Sequence, residues 1–376
     1  MNQNWTRRQI LSLSGGALLA TALPSIGAQP DSAASAARST SLYRKAFVLD
    51  ANTLASIGYV GTNEDAQKQL QLIRESGLSA IKSTLGNATG TFEETVADIA
   101  LAQTLIEKHP DLFVKVTRHA DLERAAREHK VAVIFSFEAA SMLDDKIERI
   151  EMFRQLDVLV MQLTYNRKSP FGFGCLEGDA DGLTPLGRDA VAKMNALGVA
   201  LDLSHANTRT TADGIAASTK PPVFTHAGCR AVFAHPRNKE DREMKALADK
   251  GGVMGIYMMP FLTEDTRQPH LDDFLKHMAH ALDVCGEDHV GIGTDSIFFE
   301  VTDGDLKDIA AQEEQRKKSG VGAPGENRPP YIPDANGPQK LERVTQGLLK
   351  RGYSERVVEK ILGLNFSRAF KEIWLA

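Results

Sequence analysis

Short apolar runs alternate with helix-like stretches from residue 46 to residue 295, and this alternation limits the folds that the chain can adopt. Each run has the length of a buried strand, and each stretch between runs is long enough for one helix that returns the chain to the next parallel strand. The pattern predicts a parallel sheet covered by helices. A (β/α)8 TIM barrel fits it best. A doubly wound sheet ranks second, because no glycine-rich phosphate loop follows the first strand.

The number of apolar runs exceeds what a closed eight-stranded barrel needs. Nine runs qualify as strands, and we expect the extra one to be either residues 78–81 or residues 112–116. Residues 300–338 carry charges, prolines and glycines, and they are expected to cross the barrel mouth as a long excursion of the kind that forms lids, binding loops or disordered segments. Helical patterns return after residue 338, so residues 41–376 are predicted to form a single domain.

The composition narrows the class of partner. With 42% hydrophobic and 25% charged residues, the 376-residue chain resembles a soluble globular protein. Its net charge of −5 comes without a basic block. Neither nucleic acid nor an anionic membrane is therefore an expected partner.

The N-terminal 40 residues differ from the rest of the chain. Arg7 and Arg8 are followed by the apolar pair at 10–11 and by a weakly apolar run to residue 26, which is too short for a stable membrane anchor. This order is typical of a removable export signal of the twin-arginine type. Residues 1–40 are predicted to be an export signal and a disordered N-terminus, and the protein to be periplasmic or exported. A plain disordered tail with a chance arginine pair is the alternative.

Two histidines stand at the ends of successive strand-like runs. His205 follows the run at 199–203, and His226 follows the run at 222–224. Because the carboxyl ends of parallel strands meet at one end of a barrel, the two imidazoles are expected to lie side by side, as metal ligands do. The alternative is that each histidine caps a strand and hydrogen-bonds a neighbour.

Carboxylates end two further strands. Glu138 and Asp295 would face the same cavity as the histidines, and zinc accepts this mixture of nitrogen and oxygen ligands while leaving room for water. The metal would lower the pKa of that water and polarise a carbonyl group. Asp295 could bind the metal or act as a proton shuttle. Tyr257 ends another strand and is expected to contact the substrate.

Seven motifs resemble the membrane (renal) dipeptidase family of zinc peptidases. They are GLTPLG at 182–187, MNALGV at 194–199, DLSH at 202–205, PVFTH at 222–226, HPRN at 235–238, VGIGTD at 290–295 and GLNF at 363–366. The resemblance implies a TIM barrel with a binuclear zinc centre that hydrolyses dipeptides, and a homodimer. It also implies that Glu138 is a bridging carboxylate, that His205 and His226 are second-site ligands with Asp295 opposite them, and that Arg237 holds the substrate's carboxylate.

Two segments depart from this family pattern. The family begins its barrel with Asp-Gly-His-Asn-Asp, whose histidine and final aspartate hold the first zinc; here Asn52 and Leu54 occupy those positions. The family has a histidine, thought to steady the tetrahedral intermediate, where this chain has Tyr165, whose hydroxyl would have to donate instead. Both departures favour one tightly held metal ion over two.

Two neighbouring residues are candidates for rebuilding the first metal site. Asp50 lies two residues from the lost histidine, and Lys82 ends the next strand. The alternative for Lys82 is an ion pair with Asp50 or Glu138 that fills the space.

Three functions follow in order of preference. The first is an exported metal-dependent dipeptidase-like hydrolase that acts on a small amide or dipeptide. The second is a mononuclear relative that hydrolyses another small carboxylate-bearing amide, ester or lactam. The third is a binding barrel without turnover, which the joint presence of metal ligands, Asp295 and Arg237 disfavours. The substrate itself is not encoded in a readable motif.

Overall fold

A computed structural model describes residues 32–54, 57–60, 66–264 and 266–375. The predicted export signal therefore lies almost wholly outside the described residues. Within these ranges the strands are short and buried. They are β1 (Leu49–Thr53), β2 (Ala80–Thr84), β3 (Phe113–Lys115), β4 (Val131–Phe137), β5 (Val158–Gln162), β6 (Ala200–Asp202), β7 (Val223–Cys229), β8 (Asn238–Lys239), β9 (Val253–Ile256) and β10 (Val290–Ile292).

Eight of these strands form a parallel barrel in the order β1, β2, β4, β5, β6, β7, β9, β10. The ring closes just beyond β10, where the Asp295 N–H donates to the Asn52 carbonyl over 2.8 Å and the Leu54 N–H donates to the Ser296 carbonyl over 3.2 Å. Helices alternate with the strands around the outside. The (β/α)8 prediction is confirmed, and the doubly wound alternative is excluded by the closure.

Two strands lie outside the ring. Strand β3 pairs with the first residues of β4, and β5 pairs with the later residues of the same edge of β4. The extra strand is therefore the one predicted at residues 112–116, and the run at 78–81 belongs to the barrel. Strand β8 has two residues, pairs with the end of β7 and was not predicted. It holds the segment that follows Arg237 against the site end of the barrel.

After the first strand, the helices follow the predicted pattern with one exception. Residues 300–338 contain a 16-residue helix, α10, where only an irregular excursion was expected. The helices are α1 (Ser32–Lys45), α2 (Ala66–Glu75), α3 (Phe92–Lys108), α4 (His119–Arg127), α5 (Glu148–Gln155), α6 (Pro185–Leu197), α7 (Thr208–Ala217), α8 (Asp241–Asp249), α9 (Leu271–Cys285), α10 (Asp303–Lys318), α11 (Lys340–Lys350), α12 (Glu355–Glu359) and α13 (Asn365–Ile373).

Helix α6 shows how local sequence places a strand at the site. The Thr184 hydroxyl accepts a hydrogen bond from the Gly187 N–H, and Pro185 supplies the first helical residue. Gly198 ends the helix in the left-handed conformation, with φ 66°, which glycine adopts without a steric penalty. Strand β6 starts directly afterwards and leads to His205.

The end of the barrel opposite the site is closed by the C-terminal helix. Phe366, Phe370 and Trp374 of this segment pack in one cluster with residues of the barrel strands. The Phe370 and Trp374 rings stack 4.5 Å apart, and the Trp374 indole N–H donates to the Leu159 carbonyl over 3.2 Å. The sequence after residue 338 therefore contributes to the barrel core.

At the other terminus, helix α1 begins at Ser32, so residues 32–40 are helical where a disordered N-terminus was predicted. The Tyr43 hydroxyl donates to the Ser76 carbonyl over 2.7 Å, which ties this helix to the barrel domain. Among the described residues, no helix is long and apolar enough to cross a membrane.

Candidate active site

Three candidate metal ligands converge at the carboxyl end of the barrel. Glu138 follows β4, His205 lies three residues beyond β6, and His226 lies within β7, which continues past it to Cys229. One ligand atom from each lies within 4.8 Å of the others, and this is the group of potential metal ligands found among the described residues. They come from β4 and from the adjacent pair β6 and β7, on one side of the ring with β5 between, so the barrel geometry brings their carboxyl-end residues together.

The ring orientation of His205 is fixed from behind. Its Nδ1 lies 2.7 Å from the Asn166 side-chain oxygen. That amide is itself oriented, because its nitrogen donates to the Val321 carbonyl over 2.7 Å and so turns its oxygen towards the ring. Nδ1 therefore carries the proton, and the Nε2 lone pair of His205 points into the site.

His226 is oriented in the same way through a hydroxyl group. The Thr225 hydroxyl donates to Asp202 Oδ2 over 2.5 Å, so its oxygen accepts from His226 Nδ1 over 2.9 Å. Asp202 also accepts from Ser204 and Gln162 and is held rigidly. The Nε2 lone pair of His226 is thereby also turned into the site.

The two inward-facing nitrogens are close to each other and to a carboxylate. Nε2 of His205 lies 2.9 Å from Nε2 of His226 and 3.9 Å from Glu138 Oε2. Burial and the nearby Arg237 charge lower the pKa of both imidazoles well below its ordinary value, so both rings are neutral. Two neutral nitrogens with opposed lone pairs beside a carboxylate are a donor set that suits a divalent metal ion.

The opposite side of the site is filled by hydrogen bonds between side chains. The Asn52 amide donates to Asp295 Oδ1 over 2.8 Å, and the Thr84 hydroxyl donates to Glu138 Oε1 over 2.6 Å while lying 3.3 Å from the Asn52 side-chain oxygen. Asp295 is buried and stands outside the three-ligand group. Burial and the neighbouring Glu138 raise the pKa of Asp295 to about 7.

Neither residue considered for a rebuilt first metal site belongs to the ligand group. Asp50 accepts hydrogen bonds from the Thr294 N–H (2.8 Å) and hydroxyl (2.6 Å), and burial raises its pKa to about 6. The Lys82 ammonium donates to the Ser136 hydroxyl over 3.1 Å. Within the described residues Lys82 is thus bound to a hydroxyl group, and the alternative interpretation, an ion pair with Asp50 or Glu138, is not observed either.

Arg237 reaches the centre of the site from the loop before β8. It is 2% exposed, donates from Nη1 to the Ser204 carbonyl over 2.6 Å and lies with Nη2 3.0 Å from His205 Nε2. Tyr257 lies behind it, with its ring centroid 5.8 Å from the guanidinium and its hydroxyl bonded to Asn238. Tyr257 is fully buried, so its predicted contact with substrate stays a prediction, whereas Arg237 faces the cavity directly.

A cavity of about 610 Å³ opens above these residues, large enough for a dipeptide-sized molecule. Glu138, His205, Arg237 and Asp295 line its floor, and helix α10 lines one wall. The Tyr165 ring stacks on His205 with centroids 4.2 Å apart and also faces the cavity.

A sequence model of the membrane dipeptidase family, peptidase family M19, matches residues 59–313. The chain belongs to this family. The resemblance inferred from the seven motifs is confirmed, and members of the M19 family are metallopeptidases, so a metal site is expected where the three ligands meet.

Individual M19 relatives and related structures agree with this assignment. The protein is 25% identical over 287 residues to dipeptidase tcpJ of Claviceps purpurea, covering 75% of this chain and 60% of that protein. An amidohydrolase structure from Pseudomonas aeruginosa is 30% identical, with a TM-score of 0.78, covering 89% of this chain and 99% of that one. A Rhodobacter sphaeroides metallopeptidase bound to a phosphinate mimic of the dipeptide L-Ala-D-Ala shares the fold, with 20% identity, a TM-score of 0.71 and coverages of 88% and 99%.

Sequence reasoning missed several residues of this M19 site. Asp202 and Thr225, which orient His226, stand inside the DLSH and PVFTH motifs and could have been found from their place beside the ligands. Arg316 and Glu326 lie in the segment 300–338, where no motif marks them. The capping box of Thr302 and Asp305 was the available signal that a helix begins there.

Proposed function

We propose that this M19 protein is a metal-dependent, dipeptidase-like hydrolase that cleaves a small amide bond with water. The observation that carries the proposal is the convergence of three metal-ligand side chains, Asp295 and Arg237 around one cavity of about 610 Å³. Ligands, a proton acceptor and a carboxylate-binding cation are the parts that such a hydrolysis needs.

We infer that the resident metal is zinc and that one ion is bound. Two neutral imidazoles and one carboxylate, Glu138, form a common catalytic zinc set that leaves a position for water. When bound, the metal supplies a Lewis acid that lowers the pKa of water and polarises the substrate carbonyl. The side chains of Asn52 and Leu54, together with the hydrogen bonds around Asp295, favour one ion over two.

The remaining residues bind the substrate and move protons. Arg237 is available to a substrate carboxylate once His205 uses Nε2 as a ligand, because its Nη2 then loses that acceptor. Asp295 takes the proton from the attacking water and passes it to the leaving nitrogen. The new C–O bond replaces the C–N bond, so a dipeptide yields two amino acids and no other reactant is consumed.

The test combines a metal count with activity measurements. We expect the zinc-loaded full chain to hold one zinc per chain and to cleave members of a panel of dipeptides, including L-Ala-D-Ala. Glu138→Ala should lower both metal content and turnover, the latter by more than about 100-fold, because even partners one shell further out contribute 10- to 100-fold. Metal bound without cleavage of any amide would contradict the proposal and favour a binding barrel.

The second candidate function is hydrolysis of another small carboxylate-bearing amide, ester or lactam at a single metal. Asn52, Leu54 and Tyr165 favour it, because they occupy positions where the family resemblance places other residues. Esters and lactams added to the same panel distinguish the two candidates. Cleavage of these substrates with intact dipeptides would select the second.

We also propose that the protein is exported and forms a homodimer. The arginine pair Arg7 and Arg8 supports export, and the family resemblance supports the dimer. Cell fractionation with Arg7→Lys and Arg8→Lys together tests the first, and the solution mass of the purified protein tests the second. Unaltered fractionation or a monomeric mass would contradict the respective proposal.

A further inference from the structure

Helix α10 carries an arginine into the wall of the catalytic cavity. Arg316 donates from Nη2 to the Tyr165 hydroxyl oxygen over 2.8 Å, and its guanidinium lies 5.5 Å from the centroid of that ring. The same guanidinium pairs with Glu326 through contacts of 3.1 and 3.0 Å. Arg316 is therefore held between a carboxylate on one side and a phenol on the other.

This contact determines what the Tyr165 hydroxyl can do. Its oxygen already accepts from a cation, so the O–H proton is left to point elsewhere, and a hydroxyl that accepts a charged hydrogen bond is a stronger donor. The ring is stacked on His205 with centroids 4.2 Å apart, and this contact holds it beside the candidate ligands. Burial raises the pKa of the phenol, so the hydroxyl keeps its proton at neutral pH.

The segment after α10 is fixed to the site by several contacts. We call residues 319–328 the strap. Its carbonyl groups accept hydrogen bonds from Asn166, which orients His205, and from His235, whose Nδ1 accepts the Arg237 N–H. The side chain of Arg167 also donates to the Gly320 carbonyl over 2.8 Å. The position of Arg316 is thus defined relative to the candidate ligands.

We propose that Arg316 is a positioning residue that holds the Tyr165 hydroxyl as the donor to the oxygen on which negative charge develops during hydrolysis. The inference rests on the proposed function and extends it. When water adds to the carbonyl carbon, the π electrons move to the carbonyl oxygen and the water proton goes to Asp295. The charge collapses as the C–N bond breaks and the nitrogen takes that proton. Tyr165 gives a hydrogen bond throughout and no proton.

The test is a double-mutant cycle on the zinc-loaded full chain. We expect Tyr165→Phe to lower kcat by about 100-fold, as loss of an oxyanion donor does. Arg316→Met should lower kcat by about 10-fold, because the donor remains but is no longer held in place. In both variants KM and zinc content should stay unchanged. The double variant should resemble Tyr165→Phe alone, because Arg316 acts through Tyr165.

Binding of the phosphinate mimic of L-Ala-D-Ala provides a readout without turnover, because its tetrahedral anionic group resembles the charged intermediate. Its affinity, measured by calorimetry, should fall in Tyr165→Phe and in Arg316→Met. The double variant should lose no more affinity than Tyr165→Phe alone. Suppose that the wild type binds the phosphinate, that the variants weaken this binding non-additively, and that no amide is cleaved. The proposed function then fails, whereas the assignment of Arg316 as the residue that holds the Tyr165 donor stands. If it neither binds nor cleaves, both fail.

Lys318→Met is the matched control, because it removes a positive charge from an exposed position of the same helix, where the Lys318 ammonium lies 3.6 Å from Glu314 Oε1. It should leave kcat unchanged. Three results would overturn the inference: a loss in Arg316→Met that persists fully in the Tyr165→Phe background, a rise in KM alone, which would make Arg316 a substrate-binding residue, or loss of zinc from Arg316→Met.

Discussion

The two sides of the cavity floor use their polar groups in opposite ways. On the histidine side, formed by His205 and His226, the two Nε2 atoms face each other at 2.9 Å and both are held there from behind. On the amide side, formed by Asn52, Thr84 and Asp295, the polar side chains bind one another or Glu138 over 2.6 to 2.8 Å. Glu138 belongs to both sides through its two oxygens.

The difference shows where a cation is needed. On the histidine side the two lone pairs face each other, and the Arg237 guanidinium, with Nη2 3.0 Å from His205 Nε2, supplies the positive charge that a metal ion between them and Glu138 would replace. On the amide side, Asp295 and Glu138 each accept a hydrogen bond from a neutral donor, so these oxygens have partners without a metal ion. One barrel can therefore keep half of a metal centre and replace the other half with hydrogen bonds.

The largest predicted effect is the binding of a second metal ion on the amide side, which would remove the difference between the two sides. Asn52→His with Leu54→Asp places on the amide side the two residue types that the family resemblance assigns there. We expect the double variant to bind two zinc ions per chain where the wild type binds one, because the Asn52 amide no longer occupies Asp295. Metal analysis after equilibration with zinc measures the change.

Asn52→Ala is the control, because it frees Asp295 without adding a ligand. It should keep one ion per chain. If the double variant also stays at one ion, the amide side excludes metal for a reason beyond these two side chains, with Asp50 and Thr84 as the next residues to change.

The next effect concerns protein stability and involves Asp50, which lies two residues before Asn52 of the amide side. Asp50 is buried against Thr294, and its folded-state pKa is raised to about 6 from 3.8. Because the raised value favours the protonated form, the stabilisation is fully present below pH 3.8 and is lost as the pH rises through about 6, a change of about 3 kcal/mol. Urea unfolding of the metal-free protein between pH 4 and pH 7 should show this loss.

Asp50→Asn cannot ionise and serves as the reference for that titration. The difference in unfolding free energy between wild type and variant should change by about 3 kcal/mol across this range, because the wild type becomes less stable relative to the variant as the pH rises. A difference in unfolding free energy that stays constant with pH would mean that folding does not raise the pKa of Asp50. Lys340, whose pKa is lowered to about 8, titrates above this window.

The sequence predicted the histidine side better than the amide side, for a physical reason. Glu138 and His205 follow β4 and β6, and His226 lies within β7, so the barrel geometry brings the three to the same rim whatever the loops do. The closure of the ring between Asn52 and Asp295 follows from the same rule. The fold and the meeting of the three candidate ligands could therefore be anticipated from strand order alone.

Other features depend on contacts that strand order does not encode. Lys82 was predicted either to help rebuild the first metal site or to form an ion pair, yet its ammonium binds Ser136, because the rotamers of a long side chain are decided by packing. Arg316 comes from helix α10, whose docking over the cavity rests on contacts more than 150 residues apart in sequence, such as that with Tyr165. Helix α10 buries no residue fully, so it has no apolar periodicity that would reveal it.

The smallest expected effect tests how far the histidine side depends on its support. Asn166 fixes the tautomer of His205 by accepting from Nδ1, and a partner of this kind contributes about 10- to 100-fold to metal affinity. We expect Asn166→Leu to weaken zinc binding by that factor, measured by competition with a chelator. Asn166→Asp keeps an oxygen acceptor for Nδ1 but loses the donor to the Val321 carbonyl, so it should retain the affinity. Equal losses of zinc affinity in both variants would assign the effect to the hydrogen bond between Asn166 and the strap and not to the hydrogen bond with His205. The positions of the two histidines would then depend on the strap.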